Sequence, residues 1–376
     1  MKKSREILIN LDRLNQKLDE HGMAAVVARA GVNYTYLSGV SYPGTLARHL
    51  DLTDSPRGTF LVWPRHGEPR IVLNAFAEGL TRRDSWIEVF DVYEAYREPP
   101  AERLANVICD MGLADAVVGF ERNFVSAADW EILRARLPKL RMVDSAAVMD
   151  DVRAVKTPGE IALLKRAADI LDDAYAAALP TVRPGMRERD VHARIVAECL
   201  IRGCEFVHGI LNSQRNTIAY AGESDFAFAD QDAVRNDYVA YLSGYPGHQS
   251  RCAVIGRPTA EQQRQYRVIR DIYRASADQC RAGNTGDAIY AYVADRFSAA
   301  GMRYTTMLAG HSVGCWWHQQ EPVIARGNRR RLEPGMVIAM EPHINHWHIQ
   351  DMFIVRKDGP ELLSSKFNTD EIFSCG

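Results

Sequence analysis

Apolar residues recur along the chain with two different periods. Between residues 7 and 21, Ile7, Leu8, Leu11, Leu14 and Leu18 share one stripe. That is the spacing of an amphipathic helix, and Gly22 follows as its stop signal. Short continuous apolar runs come next, over 24–28, 59–63, 71–73 and 116–120, with Pro64 closing the second. Runs of that length between turn residues predict buried strands. Helical patterns over 100–111 and 127–137 stand among them. Strands interleaved with helices predict an α/β domain, a mostly open sheet with helices on its faces.

The pattern changes near residue 150. The stretch 150–159 is charged and ends in a turn. A long helix is predicted over 158–179, with Thr157 as its cap, Pro158 at its first position and Glu160 completing the start signal. Further helices are predicted over 187–202 and 260–281. Residues 238–255 read as a hairpin turning at Gly244-Tyr245-Pro246-Gly247, and 336–340 and 352–355 as strands. The expected division is an N-terminal domain over 1–152 and a catalytic domain over 153–376.

Composition removes several function classes. Lys plus Arg is 46 and Asp plus Glu is 48, a net charge of -2, so no general attraction to nucleic acid or an anionic membrane is expected. Hydrophobic residues make up 47%, which excludes a disordered chain. No apolar run is long enough for a membrane span. The basic start is followed by Glu6, Asn10 and Asp12 rather than an apolar core, so no signal peptide is expected. Seven cysteines without a CxxC pair predict reduced thiols in the cytoplasm, not a disulfide framework or a structural zinc site.

Candidate chemistry lies in the second half. Gly310-His311-Ser312-Val313-Gly314 is followed by Cys315-Trp316-Trp317-His318. An extended segment would put His311 and His318 on opposite faces, whereas a bend would let both face one cavity. Glu341 closes the apolar run 336–340, and a carboxylate there is costly unless paired. His343, His346 and His348 follow, then Gln350 and Asp351. Each feature also has a plain structural explanation: a packed histidine, a strand-end carboxylate, a solvated loop.

Taken in order, Gly310-His311-Ser312-Val313-Gly314, His318, Glu333-Pro334-Gly335-Met336 and Met340-Glu341-Pro342 resemble the creatinase/prolidase/aminopeptidase P family. The segment 152–161 resembles that family's interdomain segment, and the resemblance runs from about residue 7 to 365. It implies an α/β (α+β) chain, with a creatinase-like N-terminal domain before a "pita-bread" catalytic domain, and a homodimer. Peptidase members bind two metals through two Asp, one His and two Glu. Carried over, the His falls on His311, the first Glu on Glu341, the last Glu on Gln350 and the second Asp on His248. The first Asp falls on Asp237 without a gap, or on Leu242 with a four-residue deletion at the turn. The gapped form is preferred because it keeps Arg235 and Asn236 out of the strand.

With those carboxylates replaced, no metal and no other cofactor is expected. The chain then resembles the metal-independent creatinase and ectoine hydrolase branches. That implies hydrolysis of an amide or amidine-type C–N bond in a small nitrogenous metabolite, with neither nucleic acid nor membrane as partner. His311, Glu341, His318 and His248 are the candidate catalytic residues. Gln350, Arg251, His343, Trp316 and Arg48 are the candidate substrate contacts, although Arg251 also reads as a brace for the hairpin. Ser250, where creatinase has a carboxylate, weakens the match to creatine itself. Two alternatives stand beside this: a metal-dependent Xaa-Pro dipeptidase or aminopeptidase, and an inactive peptide- or metabolite-binding protein.

Overall fold

A computed structural model describes residues 8–42, 57–218, 224–316 and 320–376. The chain forms two compact units, Met1–Arg153 and Ala154–Gly376. Among the described residues, no helix is long and apolar enough to cross a membrane.

The first unit is built on strands β1 (Ala25–Arg29), β2 (Phe60–Pro64), β3 (Arg70–Asn74), β4 (Val89–Tyr93), β5 (Val117–Phe120) and β6 (Arg141–Asp144). They form one sheet in the order β4-β3-β2-β1-β5-β6. It is mixed: β1 runs antiparallel to β2 and parallel to β5. Helix Pro100–Asp110 buries Leu104, Val107 and Ile108 against Val27, Phe60, Val72 and Val118. The first helix spans Leu11–Glu20, starting later than its apolar stripe suggests. Asn10 caps it by accepting a hydrogen bond from the Arg13 backbone N–H. Helix Ala146–Ala154 takes up the start of the charged stretch.

The second unit holds β7 (Phe206–Ser213), β8 (Ala233–Leu242), β9 (Tyr245–Gln249), β10 (Ala253–Ile255), β11 (Leu308–Ser312), β12 (Gln320–Ala325), β13 (Val337–Met340), β14 (Asp351–Val355), β15 (Pro360–Leu362) and β16 (Phe373–Cys375). Two five-stranded sheets result. One runs β16-β10-β8-β7, with β9 also on β8; the other runs β12-β11-β13-β14-β15. Helices Pro158–Ala178 and Glu188–Ile201 share a core with the first sheet, through Leu171, Tyr175, Ile195 and Tyr238. Helices Ala260–Ala277 and Gly286–Ala299 share one with the second, through Tyr273, Val293, Ile338 and Met340. The Thr157–Glu160 capping box at the start of the long helix is present as expected. Two sheets, each backed by a helix pair, form the pita-bread arrangement, so the expected α/β (α+β) plan describes the molecule. The two sheets meet where the Ser250 and Gln350 backbones bond to each other, at 3.2 and 3.3 Å.

Candidate active site

The β8–β9 hairpin supplies the first side chains. Ser243 and Gly244 have φ of 53° and 81°. Two positive-φ residues make the tight turn whose twist suits a hairpin. The turn is therefore shorter than expected, and Tyr245, Pro246 and Gly247 lie in β9. The register sets His248 opposite Val239. Asp237, two residues from Val239, shares its face. His248 Nε2 donates to Asp237 Oδ1 at 3.1 Å.

This geometry corrects the gapped alignment. Leu242 packs in the apolar core beside the hairpin tip, and Asp237 occupies the site. Arg235 and Asn236 do lie within β8. Asn236 is buried there because it donates to the Arg251 carbonyl and accepts from the Arg251 N–H at 2.8 Å. Burial would raise the Asp237 pKa, but His248, with His348 and Arg235, outweighs it and holds the carboxyl below its usual range.

The second sheet supplies the next pair. In β11, Gly310 faces Met340 and His311 faces Ala339. A Cβ on Gly310 would lie 2.5 Å from the Ala339 carbonyl oxygen, so glycine permits this close approach. β13 ends at Met340, and the Glu341 N–H continues the pairing by donating to Ala309 O at 2.9 Å. The buried Glu341 carboxylate then meets the buried His311 ring, with Nε2 and Oε1 3.5 Å apart. His311 Nδ1 donates to the Ser312 carbonyl at 3.2 Å, so in the neutral ring the lone pair is on Nε2. The His248 and His311 rings lie 5.2 Å apart.

A turn brings in the third group. Asn345 has φ 53°, and the Trp347 N–H donates to Ile344 O at 3.0 Å. This reversal folds His343 and His348 together, with ring centroids 4.4 Å apart. His343 Nδ1 donates to the Glu341 carbonyl at 2.8 Å, and His348 Nε2 lies 3.4 Å from Glu341 Oε2. Cys252 Sγ fixes the His348 backbone, meeting both its N–H and its carbonyl at 3.2 Å. Ser250 Oγ lies 3.3 Å from Gln350 Oε1 and 3.5 Å from His348 Nδ1. Burial pushes both His343 and His348 down to about 4, so both are neutral at pH 7.

Arg251 corrects another expectation. Its five N–H groups go to Asp172 Oδ1 (twice), Asp351 Oδ1 and the carbonyls of Ser250 and Gln350. None is left for a substrate, so Arg251 is a brace rather than a substrate contact. Burial disfavours its charge, but Asp351 and Asp172 outweigh that and raise its pKa. His248, His311, His343, Glu341 and Gln350 come together. Trp316 is exposed. His318, Trp317 and Arg48 lie outside the described residues. Sequence reasoning left Asp237 and His348 out of the site. The available signal was the spacing of His343 and His348 across four turn residues.

Both Glu341 oxygens face an imidazole Nε2 at 3.4–3.5 Å. That is longer than an ordinary N–H···O bond of about 2.7–3.2 Å. It matches the roughly 3.4 Å between two donors that each lie about 2.1 Å from a tetrahedral ion. The residues thus fit one divalent ion. They do not suit a carboxylate-bridged pair, because Gln350 is neutral and His248 stands where a second Asp was expected.

Comparison with known proteins agrees with this chemistry. The metallopeptidase family M24 matches residues 162–357, and the creatinase/prolidase N-terminal domain matches residues 10–155. The probable dipeptidase PepE of Mycobacterium tuberculosis is 27% identical over 368 residues, covering 90% of this chain and 89% of that protein. The Xaa-Pro dipeptidase of Lactobacillus helveticus is 24% identical over 368 residues, covering 93% and 95%. The crystal structure of a prolidase from Thermococcus sibiricus superposes with a TM-score of 0.83 at 20% identity, over 99% of this chain and 100% of that one, a likeness of fold. The comparisons support a hydrolase. They overturn the expected metal-independent, creatinase-like hydrolysis of a metabolite C–N bond, since these relatives are named as dipeptidases and the catalytic-domain family as metallopeptidases.

Proposed function

The chain belongs to metallopeptidase family M24, and from that premise we propose that it is a metal-dependent dipeptidase acting on Xaa-Pro bonds. The observation that carries this is Glu341, buried between His311 and His348 with both oxygens at ligand-like separations from imidazole nitrogens. Glu341, with imidazoles beside it, would hold the ion. When bound, it supplies a polarised carbonyl and a water acidic enough to attack near neutral pH. The chain's own groups do the rest. Asp237, kept ionised beside His248, offers a negative charge for the α-ammonium of a dipeptide. The Arg251 brace fixes the Ser250 and Gln350 backbones, and with them the junction of the two sheets. An Xaa-Pro bond has no amide N–H, so the site needs no acceptor at the scissile nitrogen. A reducing compartment, the cytoplasm, is proposed with it, because the seven cysteines are disulfide-free thiols and six are buried.

The test is proline release from a panel of Xaa-Pro dipeptides, before and after chelation. Turnover should fall at least tenfold on metal removal and return with zinc, cobalt or manganese. Undiminished turnover by metal-free protein would overturn the proposal, as would failure to cleave any Xaa-Pro dipeptide with metal present.

A further inference from the structure

Two of the positions carried over from the family's metal ligands are differently engaged in this chain. His248 spends its Nε2 on Asp237, and Gln350 brings no charge. Within the described residues, one group of His, Cys, Asp or Glu side chains converges as a metal site would: Glu341, His343 and His348, whose donor atoms all lie within 4.8 Å of one another. Two of these three residues are outside the carried-over set. Their placement is built into the backbone. The Ile344–Trp347 turn folds the two rings together, Cys252 pins His348 from both sides, and the Glu341 carbonyl takes the Nδ1 hydrogen of His343. That last bond leaves the His343 lone pair on Nε2, the tautomer a ligand needs.

We infer that this chain carries a single divalent ion in a relocated centre, ligated by Glu341, His343 and His348. Two imidazoles and one carboxylate suit a borderline ion such as zinc or cobalt, not magnesium. Three protein ligands leave an open position, as catalytic centres of this kind require. His311, 3.5 Å from the other oxygen of Glu341, stays outside this three-ligand set.

The inference deepens the peptidase proposal and rests on it for its functional meaning, but its test reads binding. Metal-stripped full-length protein is titrated with zinc by calorimetry and with cobalt by visible absorption. The native chain should bind one equivalent. His343→Ala and His348→Ala should each weaken binding by more than about 100-fold, beyond the loss usual for an outer-shell partner. His248→Ala should change it by less than tenfold. His343 is half-buried, so its variant guards against misfolding, which circular dichroism also checks. Two bound equivalents, or native affinity in both His343→Ala and His348→Ala, would overturn the relocated centre even if the protein is an Xaa-Pro dipeptidase. One histidine-dependent equivalent without dipeptide cleavage would sink the peptidase proposal and leave the centre standing.

Discussion

Arg251 shows how one residue can hold a site without touching a substrate. It is almost fully buried, and its guanidinium lies between Asp172 and Asp351 at 2.5 and 2.6 Å. Asp351 also accepts the Tyr273 hydroxyl at 2.5 Å, and Asp172 accepts Ser364 Oγ at 2.8 Å. Burial raises the Asp351 pKa, and Arg251 works against that rise. Removing the cation leaves two buried carboxylates without their counter-charge. Breaking a buried pair in this way costs about 3–5 kcal/mol. Arg251→Met is therefore expected to lower the urea unfolding free energy by about that much. The metal affinity of the folded fraction should fall less than in His348→Ala. A loss of under about 1 kcal/mol, the scale of an exposed pair, would show that the network contributes little.

At the scale of elements, Gly310 sets the spacing of the catalytic sheet. Its Cα faces Met340 across β11 and β13, and an added Cβ would meet Ala339 O at 2.5 Å and Met340 Sδ at 2.9 Å. Gly310→Ala should thus cost about 1–3 kcal/mol, the usual range for overpacking. It should also weaken zinc binding, because the crowded Ala339 and Met340 lead directly into Glu341. Equal stability and affinity in the variant, measured by denaturation and calorimetry, would show that the strands yield freely. The sequence made such elements legible where local rules and tertiary packing agree. The apolar strands at 25–29 and 337–340 and the capped helix at 158–178 are examples. It misled where a polar residue in a strand is satisfied from far away. Asn236 looks unsuited to a strand until its bonds to Arg251, fifteen residues on, are seen. Excluding it from β8 moved the alignment and hid Asp237. His348 was similarly obscured, because only a folded turn brings it back to His343 and Glu341.

The whole molecule's response to pH follows from buried groups that pull in opposite directions. Burial pushes the Glu160 carboxyl up to about 7, against the hydrogen bond from the Thr157 N–H and the charge of Lys156. Its folded pKa thus exceeds the ordinary 4.5, and the folded state prefers the neutral acid. The stability this contributes is full below pH 4.5 and is lost as pH rises through about 7. His343 and His348 act the other way. Their folded pKa values are depressed to about 4 from 6.5, so their contribution is full above 6.5 and is lost as pH falls toward 4. The native curve is a sum in which these slopes oppose each other, and it does not isolate either. Comparing it with Glu160→Gln in metal-stripped protein does, since the histidine contributions cancel in the difference. Gln keeps an acceptor for the Thr157 N–H, which Glu160 meets at 2.8 Å, and stays uncharged. The variant should match the native protein near pH 4.5, gain relative stability as pH rises from there to about 7, and level off above it at up to about 3 kcal/mol. Denaturation curves across this range check it. A difference that is constant with pH would mean that Glu160 titrates alike folded and unfolded, and that its burial at the head of the long helix carries no charge penalty.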